Sequence, residues 1–168
     1  ARCRVDLYQG RPADAARRLR TARTALMSSL LFRLAFVRVH LRELEARAYL
    51  GQAFQERGLS RELKLERARF LAKALRRERS QSFDPLADVV DAGVAEARHD
   101  RSRACTLLQR ATMGFLDHEK LDRAEAAAAA LRAAASMGEA GGSTQPANDP
   151  VRNPNIIRRF IKYSLSCL

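Results

Sequence analysis

Large aromatic side chains and cysteines are scarce in this sequence. The 168 residues include no tryptophan, and aromatic residues make up only 6% of the chain. A core built without them must consist mainly of Leu, Ala and Val, and the first two of these residues favour helices. Three cysteines lie far apart, at Cys3, Cys105 and Cys167. This odd number and wide spacing predict neither a disulfide framework nor a metal motif, so a reducing compartment is expected.

The sequence also lacks a long apolar run and a signal peptide. Its most apolar stretch, Leu30–Val39, is interrupted by Arg33 and Arg38. This stretch is too short and too charged to span a bilayer. We therefore expect a cytoplasmic protein without a membrane span. The chain begins at Ala1 within a helical pattern, so we expect it to be part of a longer protein.

Sequence motifs that carry chemistry are missing or incomplete. His118-Glu119 would begin a zinc-protease motif, but Asp122 occupies the position of the second histidine. His99-Asp100 lacks the arginine and the downstream asparagine of a kinase catalytic loop. No glycine-rich loop opens a helix in the way that phosphate binding requires. We therefore expect no catalytic residues, no cofactor and no metal site, and thus no enzymatic activity from this chain.

Positive charge is what the sequence has in excess. Its formal net charge is +12, its isoelectric point is near 10.9, and only four of its 31 basic residues are lysines. A charge of this size favours an acidic partner, which could be nucleic acid, an anionic membrane or an acidic protein surface. The alternative is that most of this arginine coats solvated faces of helices.

The densest basic cluster falls at the end of the fourth predicted helix. Its members are Arg69, Lys73, Arg76 and Arg77. Basic side chains at this spacing are a candidate anion-binding patch, because each contact with a phosphate adds salt-dependent affinity. The helix dipole offers a second explanation, since it favours basic residues at the C-terminal end of any helix.

The longest helical pattern runs from Leu26 to Phe54, with no Pro or Gly before Gly51. Apolar residues recur along two of its sides at steps of three and four. The first side comprises Leu30, Leu34, Val37, Leu41, Leu44 and Ala48, and the second Phe32, Phe36 and Val39. A helix that is apolar on two sides has neighbours on both. The helices before and after it are therefore predicted to pack against it.

Three residues of this long helix are candidates for binding a partner. Arg38, Arg42 and Tyr49 lie near one another along it. Tyr and Arg are frequent anchors of protein interfaces, so these side chains could line a partner groove. A solvated flank of the helix is the alternative interpretation.

Turn residues divide the chain into about seven helices and a short terminal one. The predicted N-caps of the fourth, fifth and sixth helices are Ser60, Asp84 and Asp100, and the fourth helix is predicted to begin at Arg61. Gly10, Gly58 and Asp100 each lie between a helix that ends and a helix that begins. These positions are about 40–50 residues apart, which is near the period of helical-hairpin repeats. We therefore predict an all-α fold of irregular antiparallel hairpins, of the α-solenoid type.

Composition predicts three segments along the chain. A helical-repeat domain is expected over residues 1–138, where a seventh helix ends at Gly138. Residues 139–152 are rich in Gly, Ser, Pro and Asn and are predicted to form a flexible linker. Residues 153–168 are predicted to form a short, basic amphipathic helix.

The hairpin pattern resembles degenerate tetratricopeptide (TPR) repeats. More specifically, it resembles the C-terminal helical region of large bacterial serine/threonine protein kinases. The stretches that carry this resemblance are Ala1–Ala16, Asp91–Arg101, Leu107-Leu108 with Phe115, and Val151–Pro154. The similarity covers most of the chain and rests on hydrophobic spacing. It implies a region outside the catalytic domain that serves protein–protein interaction or regulation, and no functional residues carry over from it.

Two functions compete at this point. The preferred interpretation is a non-catalytic interaction and regulatory module from the C-terminal part of a bacterial signalling kinase, with an acidic protein or peptide as its partner. The alternative is a basic helical domain of a transcription regulator that binds nucleic acid. The sequence leaves the oligomeric state open.

Overall fold

Six α-helices make up the described part of the chain. The computed structural model describes residues 2–78 and 83–117. The helices are α1 (Arg2–Tyr8), α2 (Pro12–Met27), α3 (Ala35–Gln55), α4 (Gly58–Arg76), α5 (Asp84–Ala97) and α6 (Arg101–Asp117), and a 3₁₀-helix covers Leu30–Arg33. Within these two ranges there is no strand, which confirms the all-α prediction. The predicted seventh helix, the linker at 139–152 and the terminal helix at 153–168 lie outside the described residues.

Two of the predicted turns form as expected. Gly10 has a φ of +72° after α1, and Pro12 follows in the first turn of α2. His99 has a φ of +63°, which is uncommon for a residue with a side chain. The Asp100 carboxylate then accepts a hydrogen bond of 3.1 Å from the Arg103 backbone N–H. This bond caps the start of α6.

The prediction of one long helix over Leu26–Phe54 is wrong in its first third. The chain leaves α2 before the 3₁₀-helix, and α3 begins only at Ala35. The hydroxyls of Ser28 and Ser29 each donate a hydrogen bond of 2.8 Å to the carbonyl three residues earlier. Such local bonds compete with the backbone bonds that would continue a helix. Leu34 then adopts an extended conformation with a ψ of 122°.

This break changes which apolar side chains of the region are buried. Leu30 and Phe36 were predicted to face neighbouring helices, but they are 76% and 70% exposed. From Leu41 onward the predicted apolar line is correct, since Leu41, Leu44 and Ala48 are all buried. The first apolar line is therefore buried only within α3, although Phe32 of the second still packs against buried side chains of α1, α2 and α3.

Two predicted N-caps are also wrong. The fourth helix was predicted to begin at Arg61 behind Ser60, but α4 begins at Gly58. The Ser60 hydroxyl instead contacts the carboxylate of Glu56. Asp84, the predicted cap of α5, is the first residue of that helix and makes no capping bond.

Neighbouring helices alternate in direction from α3 to α5. Arg42 near the start of α3 donates a hydrogen bond of 3.3 Å to the carbonyl of Ala74 near the end of α4. Arg98 directly after α5 donates a bond of 2.8 Å to Glu62 near the start of α4. Because opposite ends meet in both pairs, α4 runs antiparallel to both of its neighbours.

Two main groups of buried apolar side chains hold the helices together. The larger draws on α3, α4, α5 and α6, and it includes the fully buried Leu65 and Leu75 of α4. The smaller joins α1, α2 and α3 through residues such as Leu7, Leu19 and Leu41. α4 thus contributes one face to the larger core and lies between α3 and α5.

Buried carboxylates neutralise part of the arginine excess. Asp6 accepts hydrogen bonds from Arg18 Nε at 2.7 Å and from Arg11 Nη2 at 3.1 Å. Asp88 likewise accepts a bond of 2.6 Å from Arg110 Nε and is only 4% exposed. Buried charges of this kind require partners. Several arginines therefore tie helices together instead of coating a solvated face.

Candidate protein-interaction surface

Arg38 and Arg42, two of the predicted partner-binding residues, converge on one carboxylate. The Nε and Nη2 atoms of the Arg38 guanidinium donate hydrogen bonds of 3.0 and 2.6 Å to the two carboxylate oxygens of Glu78. Arg42 contacts the same carboxylate. The hydrogen bond from Arg38, supported by Arg42, holds the pKa of Glu78 below its ordinary value. Both arginines therefore brace the end of α4 against the start of α3.

Tyr49, the third predicted residue, has a different environment. Its ring is partly buried and packs against the larger core. The Lys64 ammonium lies 5.9 Å from the centre of the ring, which is cation–π distance. The structure thus joins Arg38 and Arg42 but pairs Tyr49 with α4. Partner binding by these three residues stays a prediction.

The predicted anion-binding patch divides into paired and unpaired side chains. Arg69 contacts Glu66 at 3.2 Å. Arg76 contacts both Asp88 and Asp91 of α5 at 2.7 Å. Burial works against the charged form of Arg76, but its two carboxylate partners outweigh burial and raise its pKa.

The other two members of this patch remain accessible. Lys73 and Arg77 are exposed and form no ion pair with any residue that the structure describes. Arg67, which the sequence analysis did not single out, is likewise exposed and unpaired within the described ranges. Anion binding by the patch as predicted stays untested, but the basic side chains available on α4 are Arg67, Lys73 and Arg77.

Three large apolar side chains share the solvent side of α4 with these basic residues. Leu59, Leu63 and Phe70 are 78%, 60% and 56% exposed. Their spacings of four and seven residues place them on one side of a helix. That side is opposite the buried stripe of Leu65, Ala68, Leu71, Ala72 and Leu75.

We call this surface the α4 outer face. It consists of Leu59, Leu63, Arg67, Phe70, Lys73 and Arg77. Its apolar half was not predicted, because the apolar stripe read from the sequence of the fourth helix is the buried one. The same 3.6-residue period, applied to the opposite side, carries the signal.

Ion pairs at the flank of α4 fix its orientation. Arg98 donates hydrogen bonds of 2.8 Å to both Glu62 and Glu66. The bond from Arg98 lowers the pKa of Glu66, with a further contribution from Arg69. Glu66 lies between Leu63 and Phe70 on the exposed side of α4. Both carboxylates are paired with arginines outside the α4 outer face, so its basic side chains have no ion-pair partner among the described residues.

A second apolar surface lies at the corner between α2 and α3. Its exposed side chains belong to the 3₁₀-helix and its flanks: Met27, Leu30, Leu31, Leu34 and Phe36. Arg33 is the exposed basic residue at this corner. The corner is therefore an apolar surface with little charge, so it provides little electrostatic specificity for a partner.

The described residues hold no recognisable chemical site. No group of three His, Cys, Asp or Glu side chains within them could hold a metal ion. Cys105 is partly buried on α6, and His99 lies in the turn before that helix. His118 and Glu119 lie beyond the described range. Absence of catalysis stays a prediction.

Comparisons with known proteins add no relative. No protein-family model, curated protein or solved structure matches the chain. Of the helices within 2–78 and 83–117, none has the length and apolar character needed to cross a membrane.

Proposed function

We propose that this chain is a helical-repeat interaction module that binds a protein partner through the α4 outer face. The observation that carries the proposal is the exposure of Leu59, Leu63 and Phe70 along one side of one helix. Single exposed apolar residues are normal on protein surfaces, whereas contiguous apolar patches mark interaction sites. Covering such a patch is favourable by roughly 25 cal/mol for each Å² of apolar surface removed from water.

The arrangement of helices supports the repeat part of the proposal. Each helix packs on the next in sequence, and α3 contacts both α1 and α5. Nearest-neighbour packing of this kind is typical of α-solenoids, which use their extended surfaces to bind partners. We therefore propose a solenoid of irregular TPR-like hairpins.

The resemblance stated above supports a cellular setting. We propose that the module belongs to the C-terminal, regulatory part of a cytoplasmic bacterial serine/threonine kinase and is itself non-catalytic. The coding sequence upstream is expected to encode a glycine-rich loop, a catalytic lysine and an aspartate-containing catalytic loop. A helix-turn-helix domain in their place would contradict the kinase setting.

The alternative function, nucleic-acid binding, has less support. Phosphate contacts need accessible basic side chains, and two of the four predicted residues, Arg69 and Arg76, are already paired with carboxylates. Protein binding would explain why the apolar side chains of the α4 outer face are exposed, whereas nucleic-acid binding would not.

Site-specific photo-crosslinking tests the proposed function. A photoreactive phenylalanine analogue in place of Leu63 should crosslink to a protein in the native cell. The same analogue in place of Thr21, an exposed position on α2, should not crosslink to that protein. The captured protein must then bind the purified chain and lose affinity for a Leu59→Ser/Leu63→Ser/Phe70→Ser variant.

Two outcomes would contradict the proposed function. The first is a captured protein that binds the purified triple variant as well as the original chain. The second is tight, sequence-selective binding of duplex DNA that is lost in a Lys73→Gln/Arg77→Gln variant. The second outcome would establish the nucleic-acid alternative.

A further inference from the structure

We infer that the α4 outer face binds an acidic amphipathic helix of its protein partner, with that helix antiparallel to α4. This inference rests on the proposed function and adds to it the chemistry and direction of the partner segment. It follows from the charge of the face, the shape of a helix surface and the order of residues along α4.

Charge selects an acidic partner segment. Arg67, Lys73 and Arg77 have no carboxylate partner within the described residues. The nearby acids of α4, Glu62 and Glu66, are satisfied by Arg98. The face therefore presents positive charge that nothing in the described structure balances. Complementary acidic side chains on a partner would speed association and exclude basic competitors.

Shape selects a helical partner segment. α4 has 19 residues, which corresponds to a helix about 28 Å long. Its surface presents ridges of side chains but no sheet edge. An extended peptide on this surface would leave its backbone N–H and C=O groups without protein partners, whereas a helix satisfies its own. Side-chain ridges of two helices can also interlock closely.

The order of residues along α4 selects the direction. Leu59 and Leu63 lie in the first half of the helix. Lys73 lies in its last turn, and Arg77 follows directly after the helix. Arg67 and Phe70 lie between these two ends. The partner helix must therefore be apolar over Leu59 and Leu63, acidic over Lys73 and Arg77, and mixed in between. An antiparallel partner brings the positive N-terminal end of its helix dipole over the negative C-terminal end of α4, and its own dipole favours acidic residues at that end. Acids at the partner's N-terminus, placed over Lys73 and Arg77, give an antiparallel pair.

Two designed peptides test this inference on the full chain. Both have about 18 residues, enough to span α4, and both have the same composition. One carries Glu in its N-terminal half and Leu at helical spacing in its C-terminal half, and the other reverses this order. Lactam staples bring both peptides to equal helicity, which circular dichroism checks. Fluorescence anisotropy then measures the affinity of each peptide at two salt concentrations.

The expected results separate charge, apolar contact and direction. The peptide with N-terminal Glu should bind about fivefold or more tightly than the reversed peptide, a difference of about 1 kcal/mol. An Arg67→Gln/Lys73→Gln/Arg77→Gln variant should lose about tenfold in affinity and most of the salt dependence. The Leu59→Ser/Leu63→Ser/Phe70→Ser variant should also lose about tenfold in affinity.

A matched control keeps the test specific to the α4 outer face. Arg20, Arg101 and Arg103 are exposed and unpaired among the described residues, and they lie on other helices. An Arg20→Gln/Arg101→Gln/Arg103→Gln variant carries the same change in net charge. It should bind the peptide with N-terminal Glu as tightly as the unchanged chain does, to within about twofold.

Four results would overturn the inference. Equal affinity for both peptides would contradict the inferred antiparallel orientation of the partner helix. Equal losses in the charge variant and in its matched control would show that net charge alone attracts the peptide. Tight binding to vesicles containing phosphatidylserine that depends on Leu63, without peptide binding, would assign the face to a membrane. Photo-crosslinking at Leu63 to a partner without an acidic helix would also overturn the inference but leave the proposed function standing.

Discussion

α2 and α4 are both basic helices that pack against α3, yet they present different surfaces. Of the large apolar side chains of α2, only that of Met27, its last residue, is exposed. The exposed positions in the body of α2 are basic, Thr or Ala residues such as Arg17, Arg20 and Thr21. α4 combines exposed basic residues with a stripe of exposed apolar ones. Positive charge alone therefore does not distinguish a binding surface in this chain, whereas its combination with aligned apolar side chains does.

The two helices are also anchored to different extents. Ion pairs with buried carboxylates hold both: Arg18 and Arg23 of α2 contact Asp6 and Glu45, and Arg76 of α4 contacts Asp88 together with the less buried Asp91. The difference lies in the apolar core, since α2 belongs to the smaller group and α4 to the larger one. α4 is thus the more firmly held of the two, as a surface that must keep its shape during binding requires.

The largest effect is expected from truncating the core side of α4. Leu75→Ala should lower the free energy of unfolding by about 2–5 kcal/mol, because Leu75 is fully buried in the larger core. Leu19→Ala in α2 should cost less within the same range, since the smaller core around it can relax more easily. Urea denaturation measures both changes. Equal costs would show that the two helices are anchored alike.

Removing the charge of the buried aspartates should have the next largest effect. Asp6→Asn and Asp88→Asn should each cost about 1–3 kcal/mol. Asp6→Asn leaves Arg11 and Arg18 without their charged acceptor, whereas Asp88→Asn does so for Arg110 and leaves Arg76 with Asp91 alone. Hydrogen exchange should locate the difference. Asp6→Asn should speed exchange in α1 and α2, and Asp88→Asn in α4 to α6. Identical exchange patterns in the two variants would contradict separate anchoring of α2 and α4.

Local sequence signals were sufficient for two of the turns in this fold. The left-handed conformation at Gly10 and the Asp100 cap of α6 each depend on a few neighbouring residues, so both could be predicted. The break at Ser28 and Ser29 was missed because an apolar pattern continued across it. Their hydroxyls bond to the backbone locally, and the exposure of Leu30 and Phe36 follows only once α3 starts later.

The candidate site depended on contacts that no local pattern contains. Arg38 meets Glu78, which is 40 residues away, and Arg76 meets Asp88 across a helix boundary. Such pairings decide which basic side chains remain accessible, and only the tertiary arrangement fixes them. The predicted patch could therefore name Lys73 and Arg77 but could not separate them from Arg69 and Arg76.

A smaller, pH-dependent effect is expected at the end of α4. The bond from Arg38 lowers the pKa of Glu78 below the ordinary glutamate value of 4.5. This carboxylate therefore stabilises the fold above pH 4.5, and its contribution is lost as pH falls through its lower folded-state pKa. Glu78→Gln should reduce the fall in melting temperature between about pH 5 and pH 3.

Glu96→Gln is the control for this pH dependence. Glu96 is partly exposed and forms no ion pair among the described residues, so its replacement should leave the acid profile nearly unchanged. A Glu78→Gln profile that parallels that of the original chain would show that the brace from Arg38 and Arg42 adds no acid sensitivity to α4.

The smallest effect is expected on the outward sides of the two helices, where the comparison between them is sharpest. Leu63→Ser in α4 and Arg20→Gln in α2 should each change the free energy of unfolding by no more than about 0.5 kcal/mol, because both side chains are exposed. Water reaches Leu63 in both the folded and the unfolded chain, and Ser is a somewhat poorer helix former than Leu, so the loss should be no more than a few tenths of a kcal/mol. A residue retained for folding would destabilise the chain by more when replaced. A loss above about 1 kcal/mol for Leu63→Ser would mean that Leu63 is covered within the chain itself. In that case the α4 outer face would be an internal contact and could not be the surface that receives a partner.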